Sequence, residues 1–155
     1  MSNCETRFCA SVKVTPNQEE WLKSYLTPVD DKVDDVEEID QWFEDRNLKE
    51  CSYDVDAEVW PYFDYEFRDS DTDGRIMVID SLEVGVVDMV EHVMHEFLKA
   101  HNSDQCFGME WAYTSDDGEC GGGAIFVTAK VKRWTSSMDW LAKQEKKFNE
   151  AASSK

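Results

Sequence analysis

The longest amphipathic stretch of the sequence runs from Leu82 to His101. Apolar residues recur through it at the spacing of one helix face, and mostly polar residues fill the positions between them. The pattern therefore predicts a long helix that packs one face against a core. The apolar positions are Leu82, Val86, Met89, Val90, Val93, Met94, Phe97 and Leu98.

Segments in which apolar and polar residues alternate predict the strands of the same core. They are residues 7–14, 53–68, 75–80, 107–114 and 124–131. Further helices are predicted with Thr15 as the cap and Pro16 at the first position, from about Asp34 to Arg46, and from about Ser136. The order β-α-α-β-β-α-β-β-α predicts an α+β fold, with an antiparallel sheet of about five strands and helices packed on it.

Length and composition fit a single domain. The 155 residues, of which 41% are hydrophobic, suffice for one core, so we expect a domain over residues 1–150 and a flexible tail over 151–155. No run approaches 18 apolar residues, and the N-terminal MSNCETRF has no apolar signal core. The cysteines are odd in number and include no C-x-x-C pair, so we expect free thiols in a reducing cytoplasm. They are Cys4, Cys9, Cys51, Cys106 and Cys120.

Negative charge is concentrated in one third of the chain. The whole sequence carries 34 acidic and 16 basic residues, a net charge of −18. Between Asp30 and Glu83 there are 20 acidic and five basic residues, whereas residues 130–155 carry seven basic and three acidic ones. A surface of this charge repels nucleic acid and anionic membranes, so direct binding to either is not expected. It favours cationic partners, either metal ions or basic grooves on other proteins.

The predicted helix over Asp34 to Arg46 has two different faces. At 100° per residue, Val36, Ile39 and Phe43 lie within about 60° of one another and predict its core face. The helix lacks the interspersed Lys and Arg of ordinary exposed helices, although like-charge pairs cost roughly 0.2–0.5 kcal/mol each. Charged faces are often only solvated, but this missing counter-charge favours a binding role. The acidic face carries Asp34, Glu37, Glu38, Glu44 and Asp45.

Residues 53–68 predict a strand whose faces differ in the same way. The odd positions are mostly apolar, so the even face is expected to be exposed, with Trp60 and Tyr62 among carboxylates. A large aromatic residue ringed by polar groups is typical of an interface anchor. The alternative is that Trp60 and Tyr62 lie beneath a neighbouring helix. Pro61 lacks an amide hydrogen, which favours an edge strand or a bend. The carboxylates are Asp54, Asp56, Glu58, Asp64 and Glu66.

Together the two acidic faces predict a surface that binds another protein. Carboxylates one helical turn or two strand residues apart are separated by roughly 5–7 Å, comparable with phosphates along a nucleic-acid strand. Such a surface can enter an Arg- and Lys-lined groove built for DNA or RNA, and opposite charge makes the association fast and salt-sensitive. The prediction is a non-enzymatic mimic of nucleic acid that needs no cofactor and blocks a basic nucleic-acid-binding protein.

The segment Asp69–Asp80, DSDTDGRIMVID, raises a different function, a calcium-binding module. It resembles EF-hand loops over these twelve residues only, which implies Asp69, Asp71, Asp73 and Asp80 as metal ligands. The preceding FDYEFRD alternates like a strand, however, and Asp80 replaces the usual Glu at the twelfth position. A hairpin turn in which Asp and Gly supply the geometry is the favoured interpretation.

Two other groups of residues are candidates for catalytic or metal chemistry. His92 and His95 lie one turn apart beside Glu91 and Glu96, but on the polar face of a predicted helix, so solvated histidines are expected. Cys120, within GECGGG, would act as a nucleophile only beside a histidine. A turn or close backbone packing is the favoured interpretation of these glycines. The prediction therefore includes no catalytic residues.

The segment Glu110–Ala129, EWAYTSDDGECGGGAIFVTA, combines a Trp-containing strand, a turn and the pattern GGGA-x-x-x-T-A. It resembles the C-terminal motif of an uncharacterised family of small acidic phage- and plasmid-encoded proteins. Genes of such elements often encode inhibitors of host defence. The charge also resembles that of acidic DNA-mimic anti-CRISPR and antirestriction proteins. The resemblance implies a host nuclease or CRISPR effector as partner and assigns no role to any residue.

Overall fold

The computed structural model describes residues 4–51, 53–81 and 85–154. The strands are β1 (Cys4–Lys13), β2 (Asp64–Ser70), β3 (Gly74–Ser81), β4 (Phe107–Ser115), β5 (Cys120–Val127) and β6 (Lys132–Ser136). The helices are α1 (Pro16–Tyr25), α2 (Val36–Asp45), α3 (Val87–Ala100) and α4 (Ser137–Ser153), and a short 3-10 helix spans Leu48–Glu50.

The strands form one antiparallel sheet in the order β2-β3-β1-β4-β5-β6, which confirms the predicted α+β fold. The sheet has six strands rather than five. The strand predicted over residues 124–131 ends at Val127, and a turn follows in which the Thr128 amide donates to Val131 O at 2.9 Å. The chain then returns as β6, which is too short and too polar to be recognised by alternation.

One face of the sheet carries the core. Phe8 and Val12 of β1 and Met77 and Ile79 of β3 are buried on this face, where α3 packs. The α3 side chains predicted to form the apolar stripe are buried or partly buried, which confirms the helix from Val87 onward. Leu82 lies outside the described residues. The fully buried members are Met89, Val90, Val93, Met94, Phe97 and Leu98.

Local signals set where the flanking helices begin. Thr15 Oγ1 accepts from the Gln18 amide, and Gln18 Oε1 accepts from the Thr15 amide at 2.9 Å, so a reciprocal cap starts α1 ahead of Pro16. Ser136 caps α4 in the same sense, since its Oγ accepts from the Asp139 amide at 3.1 Å. α4 extends to Ser153, three residues into the segment for which a flexible tail was predicted.

Candidate partner-binding surface

Helix α2 begins where Asp35 caps it. Asp35 Oδ1 accepts from the Glu37 amide at 2.9 Å, and the helix ends at Asp45, within the predicted bounds. Its inner side is only partly covered, because the helix meets the body through its second half, where Trp42 and Phe43 are half-buried. Val36, in the first turn, is 70% exposed. The prediction that Val36 lies in the core is therefore wrong.

The outer face of α2 is acidic and exposed. Glu44 pairs with Lys49 at 2.8 Å, and Asp45 accepts a hydrogen bond from Gln41 at 2.7 Å. Within the described chain, no Lys or Arg lies within ion-pairing distance of Asp34, Glu37 or Glu38. The exposed acidic residues of this face are Asp34, Glu37, Glu38, Glu44 and Asp45.

Arg46 ties the end of α2 to the end of α1. Its guanidinium donates to Tyr25 O at 2.8 Å, Ser24 O at 3.0 Å, Thr27 O at 3.3 Å and Trp42 O at 3.2 Å. Carbonyls at helix ends lack partners within the helix, so one side chain satisfies the last turns of two helices. The guanidinium also lies 4.2 Å from the Trp42 ring centroid. This cation is therefore used inside the fold rather than on the acidic face.

A buried polar cluster lies beneath this junction. Tyr25 Oη donates to Arg46 O at 2.8 Å, and His92 Nε2 lies 2.9 Å from Arg46 O and 3.0 Å from Tyr25 Oη. A carbonyl only accepts, so Nε2 of His92 must carry a hydrogen. Burial lowers the pKa of His92, and the hydrogen bond to Arg46 O opposes that change. The expectation of a solvated His92 is wrong, because its helix face meets α1 and the chain after α2.

Trp60 lies in the core and not on the surface. Its side chain is 1% exposed, and its indole Nε1 donates to Tyr25 O at 2.9 Å. Its ring lies 5.9 Å from that of Trp42 and 5.8 Å from that of Tyr25, both edge to face. The predicted exposed anchor is therefore wrong for Trp60, and the alternative position beneath a neighbouring helix is correct. Trp60 instead packs against Trp42 on the inner side of α2.

Residues 53–63 do not form a strand. The chain turns through them, and regular pairing begins only at Asp64. Tyr62, with φ of 68°, is half-buried, and its hydroxyl accepts a hydrogen bond from the Asp56 amide. The strict two-face alternation predicted for residues 53–68 is therefore wrong for its first two thirds. Burial of Trp60 among α1, α2 and α3 overrides the local strand pattern.

The turn formed by residues 53–63 lies beside α2. The Val29 amide donates to Ala57 O at 3.1 Å, which joins the chain leading into α2 to the 53–63 turn, and the contact between Trp42 and Trp60 joins the helix itself. Asp64 and Glu66 follow on β2, an edge strand, where Glu66 pairs with Arg68 at 3.1 Å. The exposed acidic residues of the segment are Asp54, Asp56, Glu58, Asp64 and Glu66.

The Asp-rich segment is the turn of a hairpin. β2 ends at Ser70 and β3 begins at Gly74, whose φ of 74° suits glycine. Asp80 lies six residues along β3 from Gly74, about 20 Å from the turn at the rise of a strand. Asp73 pairs with Lys13 at 3.3 Å and Asp69 with Arg75 at 3.5 Å. The EF-hand assignment is wrong, because a paired strand carries the twelfth position away from the others.

The residues that the structure describes contain no group of three or more His, Cys, Asp or Glu side chains arranged to hold a metal ion. His95 is half-buried, and its Nδ1 donates to Thr128 O at 2.9 Å, so one of its two ring nitrogens is occupied within the fold.

Cys120 and the glycines beside it lie in β5. Cys120 is a free, exposed thiol seven residues from Val127, or about 23 Å along the strand, whereas His95 contacts the chain at Thr128. Of the two possibilities in the favoured interpretation, a turn or close backbone packing, the structure shows close packing, because Gly121 to Gly123 lie within β5. A Cβ at Gly122 would stand 2.5 Å from Trp111 O of the neighbouring strand.

Sequence reasoning missed the residues that hold the acidic face in place. Trp42 and Arg46 were not predicted to act, although they lie one helical turn apart, at a spacing that brings a cation over an aromatic ring. No local pattern predicted the buried position of His92, because its hydrogen-bond partners are distant in the sequence. Arg46 is 46 residues away and Tyr25 is 67 residues away.

None of the described helices is both long enough and apolar enough to cross a membrane. Comparison with known proteins found no matching family model, no matching curated protein and no matching solved structure.

Proposed function

We propose that the protein is an acidic nucleic-acid mimic that occupies the basic groove of a nucleic-acid-binding protein and excludes DNA or RNA. The acidic face of α2, with the acidic residues of the 53–63 turn, would enter the groove. An inhibitor from a mobile element, of the anti-CRISPR or antirestriction type, is the concrete form. It would act without catalysis, in the cytoplasm, on a host nuclease or CRISPR effector.

The observation that carries the proposal is an acidic helix face without basic partners, on a helix that tertiary contacts hold in place. Asp34, Glu37 and Glu38 are exposed without a Lys or Arg partner among the described residues, and the nearby cation Arg46 is directed into the fold. A face that served only solubility would gain from interspersed cations. Uncompensated charge is instead what a basic groove recognises, because the two potentials are complementary.

Apolar contact within the surface would come from side chains other than Trp60. Val36 in α2 is 70% exposed, and Val59 in the 53–63 turn is 57% exposed. Both lie among the acidic residues. Such residues can be desolvated in the centre of an interface while carboxylates around them pair with Arg and Lys.

The test begins with capture and ends with competition. The tagged protein is exposed to lysate of the host at low salt and at about 0.5 M salt, and proteins held only at low salt are identified. Each captured protein is purified, and its binding to labelled duplex DNA or RNA is followed by fluorescence anisotropy as the mimic is added. We expect wild-type protein to displace the nucleic acid.

Charge reversal then locates the surface. The triple variant Asp34→Lys, Glu37→Lys, Glu38→Lys should lose competition, because it turns the acidic face of α2 basic. The matched control reverses Glu110, Asp117 and Glu119, which are exposed on β4 and the β4–β5 hairpin. The control makes the same change in net charge and should still compete. Retained competition by the α2 variant, or equal loss in both variants, would exclude this surface as the binding site.

A further inference from the structure

The core face of the sheet ends in a groove beside the start of α3. On β4, Phe107 and Met109 are buried in the core, whereas Trp111 and Tyr113, the next residues on the same face, are only half-buried. The groove has a volume of about 510 Å³, within the range of small-molecule sites. We call it the aromatic groove, because its lining includes the side chains of Trp111, Tyr113 and Trp134.

Glycines of β5 give the two rings of β4 their room. The rings of Trp111 and Tyr113 are nearly parallel, at 22°, with centroids 6.2 Å apart. A Cβ at Gly121 would stand 2.6 Å from Tyr113 Cε1, and one at Gly123 would stand 2.9 Å from Trp111 Cζ2. Such close approach needs glycine in the neighbouring strand. The glycine run of β5 therefore allows two aromatic rings to lie side by side in the groove.

Trp134 and Asp88 add a third ring and a negative charge. Trp134 lies on the same sheet face, since it pairs with the buried Ile125, and its side chain is 61% exposed. Asp88 is exposed and also lines the groove. No Lys or Arg in the described part of the chain lies within ion-pairing distance of Asp88. Lys132 lines a neighbouring polar cleft rather than the groove.

These groups together match an organic cation. The faces of Trp and Tyr rings attract a cation within about 6 Å of the ring centroid, and quaternary ammonium ions are ligands of such aromatic sites. An anion would be repelled by Asp88 and by the net charge of −18. A metal ion would find only one carboxylate among the described residues of the lining, too few for a hard cation.

We propose that the aromatic groove binds a small methylated ammonium ion against Trp111, Tyr113 and Trp134, with Asp88 as the opposite charge. The aromatic rings supply contact with the methyl groups, and the carboxylate balances the charge. This site is separate from the acidic face of α2. It gives the protein a small-molecule ligand in addition to the macromolecular partner proposed above.

The test compares two probes of the same shape. Choline carries a quaternary ammonium group, and 3,3-dimethylbutan-1-ol has carbon in place of the charged nitrogen. Each is titrated to about 50 mM into ¹⁵N-labelled protein in about 0.15 M NaCl. The indole N–H signals of the six tryptophans are followed by NMR. We expect choline to shift the signals of Trp111 and Trp134 to saturation, and to bind at least about fivefold more tightly than the neutral probe.

Two variants locate the site. Trp134→Leu removes an aromatic face but keeps an apolar side chain, and Asp88→Asn removes the charge but keeps the shape. Each should weaken choline binding at least about threefold, with the Trp111 signal as the reporter. The controls Trp140→Leu on α4 and Asp104→Asn before β4 make the same changes at exposed positions outside the groove, and should bind as wild type does.

Three results would overturn the proposal. Equal binding of the two probes would show a groove that is merely apolar. Equal loss in the groove variants and in their controls would show unspecific attraction of a cation to an acidic protein. Unshifted indole signals of Trp111 and Trp134 at about 50 mM choline would show that the ligand class is wrong, because even weak sites of this kind are filled at that concentration. Circular dichroism checks that each variant keeps its fold.

Discussion

The acidic helix α2 and the C-terminal helix α4 are both amphipathic and both peripheral, but they are held to the protein in different ways. Arg46 and Trp42 fasten α2 to α1 and to the buried Trp60. The first turn of α4 is held to the sheet by a hydrogen bond from Ser137 Oγ to Gly122 O, and Phe148 near the far end of the helix is 74% exposed. α2 exposes acidic side chains and is held by tertiary contacts on its other side. α4 exposes apolar side chains and has no buried residue.

The difference shows how a helix can keep a destabilising surface. Like charges on α2 cost stability that the helix does not recover on its own exposed face, so tertiary contacts beneath it must supply the difference. α4, by contrast, has no buried side chain among the described residues. Substitutions under α2 are therefore expected to lower the stability of the fold, and substitutions of exposed α4 side chains to change it little.

Replacing Trp60 by Ala should separate the two regions most strongly. Removal of a fully buried indole is expected to lower the free energy of unfolding by about 3–5 kcal/mol. The matched change on α4, Phe148→Ala, should cost less than about 0.5 kcal/mol, because Phe148 is 74% exposed. Urea unfolding measures both. Equal losses would show that α4 is packed within its own chain.

Arg46→Met tests the fastening of α2 itself. The variant keeps the length of the side chain but removes donors to four carbonyls, so we expect a loss of about 2–3 kcal/mol in unfolding free energy. Arg68→Met removes a cation from an exposed pair with Glu66 and should change stability by less than about 0.5 kcal/mol. If the two substitutions cost the same, Arg46 is only another surface cation.

How much of this could be read from the sequence depends on whether the signal was local. The α3 stripe, the cap at Thr15 and the hairpin at Gly74 depend on residues within a few positions of one another, and each prediction of them is confirmed. The acidic face of α2 was also predicted from spacing alone. β6 was missed, because five residues between a turn and a helix cap are too few to establish a period.

The positions of Trp60 and His92 could not be read in this way. Residues 53–63 alternate like a strand, but Trp60 reaches the core through contacts with Tyr25 and Trp42, 35 and 18 residues earlier in the chain. His92 lies on the polar side of its own helix and becomes buried only because Tyr25 and Arg46 meet it there. Such contacts depend on how helices pack, and no local pattern in the sequence encodes them.

Lowering the pH should destabilise the protein through His92 in the buried cluster beneath α2. Burial holds the pKa of His92 below its usual 6.5, so the unfolded chain binds more protons than the folded one as pH falls. The stability contribution is therefore complete above pH 6.5 and is lost below it. Between pH 6.5 and 5.5 the loss is at most about 1.4 kcal/mol.

Urea unfolding at pH 7.5 and 5.5 measures that loss, with His92→Gln as the control. Gln does not titrate, and its amide can still donate to Arg46 O. The pH-dependent loss should therefore be smaller in the variant than in the wild type. The same loss in both would assign the effect to groups other than His92.

The smallest expected effect tests whether the charge on α2 is truly uncompensated. Gln41→Lys places a cation four residues after Glu37 and four before Asp45, and should raise the free energy of unfolding by about 0.3–0.5 kcal/mol at low salt. The gain should vanish near 1 M salt, where charges are screened beyond about 3 Å. Gln144→Lys on α4 has no acidic residue four positions away on either side, so it reports only the change in net charge.

The two variants together show whether the charge on α2 is special. A rise in unfolding free energy in Gln41→Lys alone means that α2 carries a local excess of negative charge that folding does not require, as a binding face would. Equal rises in the two variants would mean that any added cation relieves the net charge of −18. The acidic face of α2 would then be no more destabilising than the rest of the surface.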